Sequence, residues 1–283
     1  MSIKQIGFLV GDKAATLSGA HPAYLSAFDG QQTAGNALSG FIKALPENAL
    51  YVDIGANVGA TVVAAALLRP DITIVAFEPV PSNFQLLVRN VADNGLTNCK
   101  LVNAAVGDRT GEVLISDNGP RSLIGAGSVS VPLVTLDDYF QTTPQGRPVD
   151  LLKVDVEGYE PQVIFGAKRT IEQSRAPIFM EFNSWTLLCQ GCNPLNFAAQ
   201  LWSIFSVSDP QGSPLPSSEV FVHDNLVKHG CVEDVVLRLN NISALRSFLF
   251  NMDPVRQELE SVYASTSWRL TAPLRRLKGF ISR

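Results

Sequence analysis

Cysteine and histidine are scarce in this chain, at four and three among 283 residues. The cysteines, Cys99, Cys189, Cys192 and Cys231, follow no regular spacing. A disulfide framework is therefore not expected, and reduced thiols in a cytoplasmic setting are. Charge is sparse as well, at 17% of residues with a net of −4, so no broad attraction for nucleic acid is expected. Long apolar runs are also missing. The greasiest stretch, Val58 to Leu68, falls well short of the roughly 20 residues that cross a bilayer. The N-terminal MSIKQIGFLVGDKAAT has too short an apolar run for a secretory signal. What is present is a globular composition, 46% hydrophobic, in a chain long enough for one large domain with modest additions.

Residues 1–46 read as a cap segment of mixed Gly, Ser and Ala with a helix around Asn36–Leu45. Residues 47–242 read as the main domain. Apolar, β-branched runs at Ala49–Ile54, Ile72–Phe77, Cys99–Val106, Val149–Val156 and Ala176–Phe182 predict strands, with two more at Ser203–Val207 and Asp234–Leu239. Helices are expected at Val58–Arg69, Pro81–Asn94, Leu136–Phe140 and Pro161–Ser174. In the second of these, Phe84, Leu87, Val88 and Val91 share one face. Glu112–Ser116 is expected to pair near the third strand, and the Gly- and Ser-rich stretch Asp117–Ser130 reads as a loop. Strands alternating with helices specify a mostly parallel α/β sheet with helices on both faces. In such a sheet a ligand binds outside the carboxyl ends of the strands.

The end of the first strand carries Val52-Asp53-Ile54-Gly55-Ala56-Asn57-Val58-Gly59. Glycines there let backbone approach a ligand closely and leave helix-terminal N–H groups facing it. Asp53 suits a cationic ligand group. Glu78, nineteen residues past Gly59, ends the second strand, where a carboxylate can accept from a ribose diol. The G-x-x-x-G spacing is neither the dinucleotide G-x-G-x-x-G nor a P-loop, which disfavours a dehydrogenase. A bland alternative is a small-residue turn that packs helix on strand. With Asp53 and Glu78 in place, an aminoacyl sulfonium nucleoside fits better than a pyrophosphate.

Five blocks in order, VDIGANVGAT, FEPVPSNFQLLVRN, LVNAAVGDRTGEV, VTLDDYF and LLKVDVEGYEPQVIFGA, resemble those of FkbM-type S-adenosylmethionine-dependent methyltransferases. The resemblance covers roughly Leu50 to Asn183. It implies a class I methyltransferase (Rossmann-like) fold, with a seven-stranded sheet, and O-methylation of a sugar or natural-product hydroxyl. By position, Asp53, Gly55, Ala56, Asn57 and Gly59 would bind the methionine part of S-adenosyl-L-methionine. Glu78 would hold the ribose, and Ala105 and Val106 would lie against the adenine.

Leu152-Lys153-Val154-Asp155-Val156-Glu157 is unusual for a buried strand, because Lys153, Asp155 and Glu157 share one side. Such charges are costly unless paired or solvated by a site. Glu181 and Asn183 repeat the pattern at the fifth strand's end. Methyl transfer needs the acceptor hydroxyl aligned and its proton accepted. Asp155 is the preferred base, with Glu157 and Glu181 as rivals and Lys153 as its ion-pair partner. The alternative is a structural network of Lys153, Asp155 and Glu181. No metal site is assigned. The carboxylates are compatible with a divalent ion, but nothing compels one. Cys189-Gln-Gly-Cys192 lacks the second pair of a zinc site, and His21, His223 and His229 stand alone.

Residues 243–283 read as a helical, basic tail. Arg269 to Arg283 holds five basic residues and no acid, and Pro273 can start a helix with Leu274, Leu277 and Ile281 along one side. STSWRLTAPLR resembles tails of bacterial enzymes that build cell-surface polysaccharides. The tail is either a solvated arm or a docking element, through residues 268–283, for a protein or for the inner face of the cytoplasmic membrane. The expected activity is O-methylation of a sugar hydroxyl in a bacterial surface polysaccharide or its precursor. The rivals are a natural-product O-methyltransferase and a catalytically silent nucleoside-binding scaffold.

Overall fold

The computed structural model describes residues 3–32, 36–116, 124, 127–142 and 148–248. It opens with an antiparallel hairpin of β1 (Lys4–Val10) and β2 (Lys13–Gly19). The sequence reading gave this segment no strong period, yet Phe8 and Val10, then Ala15 and Leu17, are buried at alternate positions. Gly11-Asp12 is its two-residue turn, and Gly11 supplies the φ of 67° that this turn type needs. Two helices follow, α1 (Pro22–Ser26) and α2 (Ala37–Lys43). Asn36 caps α2, its Oδ1 accepting from Ser39 N at 2.8 Å.

The alternating part runs β3 (Leu50–Ile54), α3 (Ala60–Leu68), β4 (Thr73–Phe77), α4 (Pro81–Asp93) and β5 (Cys99–Val102). After it come β6 (Ala105–Val106), β7 (Gly111–Ile115), β8 (Val129–Val134) and α5 (Leu136–Thr142). The second half holds β9 (Leu151–Val154), α6 (Glu160–Gly166), α7 (Lys168–Ser174), β10 (Ile178–Asn183) and α8 (Ser184–Cys189). It closes with α9 (Pro194–Ile204), β11 (Phe205–Ser208), α10 (Ser218–Val227), β12 (Val232–Leu239) and α11 (Ile242–Ser247).

The main sheet has seven strands in the order β11-β12-β10-β9-β3-β4-β5. β10, β9, β3, β4 and β5 are parallel, and β12 runs against both β10 and β11. This is the seven-stranded, mostly parallel sheet that the resemblance implies. Leu50, Val52 and Ile54 join the core on one face, and Tyr51 joins the core on the other. That period of two, with both faces covered by apolar packing, is the mark of a parallel inner strand. The chain turns toward β4 on one side of β3 and toward β10 on the other. The crevice beyond the carboxyl ends of β3 and β9 is therefore the topological switch point.

Several boundaries differ from the sequence reading. The expected third strand divides: β5 stays in the main sheet, while β6 pairs with β8 in a separate three-stranded sheet with β7. Val129 and Ser130, expected in a loop, belong to β8; residues 117–123 and 125–126 of that loop lie outside the described residues. The single helix expected over Pro161–Ser174 breaks at Ala167, and Ser203 belongs to α9 rather than to a strand. On α4 the buried face is rotated: Asn83, Leu86, Leu87, Asn90 and Val91 are buried, while Val88 is exposed. Asn90 is inside because it holds the hairpin, as described below.

Among the described residues no helix is long and apolar enough to cross a membrane. Of the tail, α11 packs beside α7, where Arg246 pairs with Glu172 and Lys168 Nζ donates to the Phe248 carbonyl at 3.1 Å. The basic stretch Arg269–Arg283, and the docking role expected for residues 268–283, lie outside the described residues.

Candidate active site

A cleft of about 1080 Å³, including its open mouth, lies at the switch point. β3 sends Gly55, Ala56 and Asn57 to its wall, and β4 sends Glu78. Ala105 and Val106 come from β6, the strand that left the main sheet. Lys153, Asp155 and Glu157 come from β9 and its exit, and Glu181 from β10. Ten of the twelve residues singled out by sequence thus meet in one cleft. Asp53 and Gly59 are not among its lining residues.

Asp53 shares the row of Tyr51 inside the sheet and is fully buried. Its Oδ2 accepts from Tyr51 Oη at 3.1 Å and from Thr61 Oγ1 at 2.5 Å. Its Oδ1 lies 3.2 Å from Lys153 Nζ, and the same ammonium lies 3.2 Å from Asp155 Oδ2. Asp53 therefore acts beneath the cleft rather than on its wall, because its strand position points it into the layer under α3. Burial opposes the Lys153 charge. Asp155 and Asp53 outweigh that effect, so the ammonium holds its proton more tightly than an ordinary lysine. Asp155 stands beside it with part of its side chain exposed.

Gly55 has φ 85°, and a Cβ there would sit 1.8 Å from the Asp155 carbonyl oxygen. Only glycine lets the exit of β3 lie this close to the exit of β9. Gly59 has a different job. It begins α3 with φ 92°, and a Cβ would meet Leu87 Cδ1 at 2.5 Å, so it packs α3 against α4.

Glu78 is nearly fully buried at the end of β4. Its Oε2 accepts from Asn57 N at 2.8 Å and its Oε1 from Val80 N at 2.9 Å. A carboxylate has about four lone-pair sites, so each oxygen keeps capacity for another donor. Desolvation by burial pushes Glu78 up to about 7, against the pull of these N–H groups. The neighbouring Asn57 Oδ1 is buried without a partner. Together these are open acceptors on the wall, as a ribose-bearing nucleoside requires. The residues present fit such a group.

Glu181 lies opposite Asp234 of β12, and Asp155 and Glu157 are also close enough to repel its charge. Desolvation first, then these carboxylates, push Glu181 up to about 8. Near neutrality it is a protonated acid. Glu157, read from sequence as near a helix start, precedes α6 in the left-handed region at φ 54°. The turn is held from below by buried Glu160, whose Oε1 accepts from Val156 N and Gly158 N at 3.2 Å each. Burial raises Glu160 to about 7.

The sequence reading missed Tyr24, Thr61 and Asn83, which also line the cleft. Thr61 stands two positions past Gly59, where a hydroxyl in the first turn of α3 was a readable signal. Tyr24 comes from α1, and nothing local to it announced the cleft. His223 bonds Asp224 at 3.1 Å and, like His229, is not a lining residue.

Residues 53–190 match the methyltransferase FkbM domain model. Methyltransferase sdnD of Sordaria araneosa is 29% identical, over 43% of this chain and 61% of that protein. Hexuronic acid methyltransferase AglP of Haloferax volcanii is 24% identical, over 44% of this chain and 53% of that protein. The match thus spans between about half and two thirds of the length of these curated relatives. Among solved structures, methyltransferase FkbM of Methylobacillus flagellatus is similar with a TM-score of 0.43 at 15% identity, over 67% of this chain and 43% of that one. The domain match begins at Asp53 and ends beyond Glu181, so it contains the glycine loop, Glu78 and the acidic strand ends that form the cleft: the chain carries an FkbM-type methyltransferase domain.

Proposed function

We propose that this domain is an S-adenosylmethionine-dependent O-methyltransferase. Its acceptor is a sugar hydroxyl of a bacterial cell-surface polysaccharide or its precursor. The observation that carries the reading is Lys153, which binds Asp53 beneath the cleft and Asp155 on its wall, in the same cleft that Glu78 lines.

Bound there, S-adenosylmethionine supplies an electrophilic methyl group on a positively charged sulfur. Glu78 accepts from the ribose hydroxyls with its free lone pairs, and Asn57 Oδ1 offers a further acceptor. Asp155, paired with Lys153, would take the proton of the acceptor hydroxyl as that oxygen bonds to the methyl carbon and the sulfur–methyl bond breaks. Glu181, protonated near neutrality, donates a hydrogen bond that orients the acceptor. A sugar acceptor is supported by the hexuronic acid methyltransferase among the relatives and by the likeness of the STSWRLTAPLR segment to polysaccharide-enzyme tails. On this reading the protein works in the cytoplasm, at the inner face of the membrane where such precursors are built.

Calorimetric titration with S-adenosylmethionine, S-adenosylhomocysteine and a dinucleotide control tests the cofactor. Micromolar binding of the two sulfur nucleosides alone is expected. No binding by a folded, monodisperse sample overturns the reading in favour of a silent scaffold. Mass spectrometry of host polysaccharide with and without this chain then tests the acceptor, as loss of a methyl ether from one sugar.

A further inference from the structure

Tyr24 lines the cleft together with Glu78, Lys153 and Asp155, and it belongs to none of the sequence blocks that carry the family resemblance. Its hydroxyl has no hydrogen-bond partner among the described residues, whereas Tyr51, in the same charged neighbourhood, donates to Asp53 at 3.1 Å. We propose that Tyr24 is a ligand-binding residue, its hydroxyl donating to an oxygen of the bound nucleoside cofactor between Glu78 and the Lys153–Asp155 pair. The proposal rests on the methyltransferase reading above.

The position of Tyr24 is fixed from three sides. Its ring packs on Phe28, with centroids 5.3 Å apart at an interplanar angle of 51°. The next residue, Leu25, is buried in one apolar cluster with Val58, Ala60 and Val63, which belong to the glycine loop and α3. A Cβ on Gly19 would lie 2.8 Å from Leu25 Cδ2, so the hairpin ends directly against α1. The hairpin is itself clamped by buried Asn90. That side chain accepts from Ser18 N at 2.7 Å and donates to Ser18 O at 2.9 Å and to Val58 O at 2.7 Å. One amide thus ties β2 to the loop that reaches the cofactor, and α1 follows β2 directly.

The chemistry of the group agrees with this placement. Burial raises the proton affinity of Tyr24; Lys153 opposes the rise, while Asp155, Asp53 and Glu78 add to it. The phenol therefore stays an O–H donor at neutral pH. A ligand oxygen would supply the acceptor that this hydroxyl lacks among the described residues.

Titration with S-adenosylhomocysteine tests this without turnover. Tyr24→Phe is expected to bind about 2–10-fold more weakly than the wild-type chain, the range of one neutral hydrogen bond. Its melting temperature without ligand should be unchanged, because the ring contact with Phe28 is kept. Tyr24→Leu, which also loses the ring, should bind more weakly still. If wild type binds and Tyr24→Phe binds equally well, the assignment of Tyr24 is wrong and the cofactor reading stands. If wild type does not bind, both fall.

Discussion

Lys153 and Asp53 are register partners on neighbouring strands, and their side chains meet at 3.2 Å inside the sheet. The pair fixes the ammonium so that its remaining reach is toward Asp155 on the cleft wall. Lys153→Met should therefore act twice. It strands Asp53 as an unpaired buried charge, costing about 3–5 kcal/mol of stability in a denaturant titration. It also leaves Asp155 without its cation. Asp155→Asn should instead lower turnover about 10²–10⁴-fold with nucleoside affinity nearly unchanged. Full retained activity would remove Asp155 from the mechanism.

Glu78 links the glycine loop to the exit of β4 through Asn57 N and Val80 N. Glu78→Ala should weaken S-adenosylhomocysteine binding about 10–100-fold, since hydrogen bonds to a charged group are worth about 1.5–3 kcal/mol. Calorimetry reads the loss directly. The dinucleotide control should show no binding in either chain.

Stability should fall as pH rises through neutrality. Glu78 and Glu160 are pushed up to about 7 and Glu181 to about 8, each mainly by burial. All three values exceed the roughly 4.3 of an unfolded glutamate, so the folded state binds more protons between these limits. Their stabilising contribution is complete below about pH 4 and is lost as pH passes through 7 to 8. The melting temperature of the unliganded protein should drop as pH rises from about 4 to about 8, and Glu160→Gln should flatten that slope. A melting temperature that rises over this interval would contradict the upward shift of these carboxyls.

Asn90 is expected to govern the hairpin. Asn90→Ala strands Ser18 N, Ser18 O and Val58 O, each a buried group whose loss of partner costs about 1–3 kcal/mol. Amide hydrogen exchange should quicken across β1 and β2 while β3 and β9 stay protected. Nucleoside affinity should fall in step, since α1 follows β2.

A chain ending at Asn251 should keep nucleoside binding and lose membrane association, because the basic segment Arg269–Arg283 is removed. Sedimentation with anionic vesicles reads the difference. Equal sedimentation of both chains would place docking elsewhere.

The sequence by itself determined the sheet and most of the cleft. Short, uncharged β-branched runs such as β4, alternating with helices, are enough to specify a parallel sheet buried on both faces. Charged residues at their carboxyl ends, Glu78 and Asp155, can only sit where ligand or solvent meets the sheet. What the tertiary structure decided was the direction in which each charge points and what reaches it from afar. Asp53 stands in the same motif as Gly55, yet its strand position sends it beneath the cleft to Lys153. No reading of single positions separates those two roles, because strand pairing sets them. Val88, expected on the apolar face of its helix, is exposed, while Asn90, which the sequence did not single out, is buried because β2 claims it. Tyr24 reaches the cleft only because the hairpin and α1 pack on α3 and α4, a contact between segments more than thirty residues apart in the chain. Local propensity carries no record of such contacts, and they complete the site.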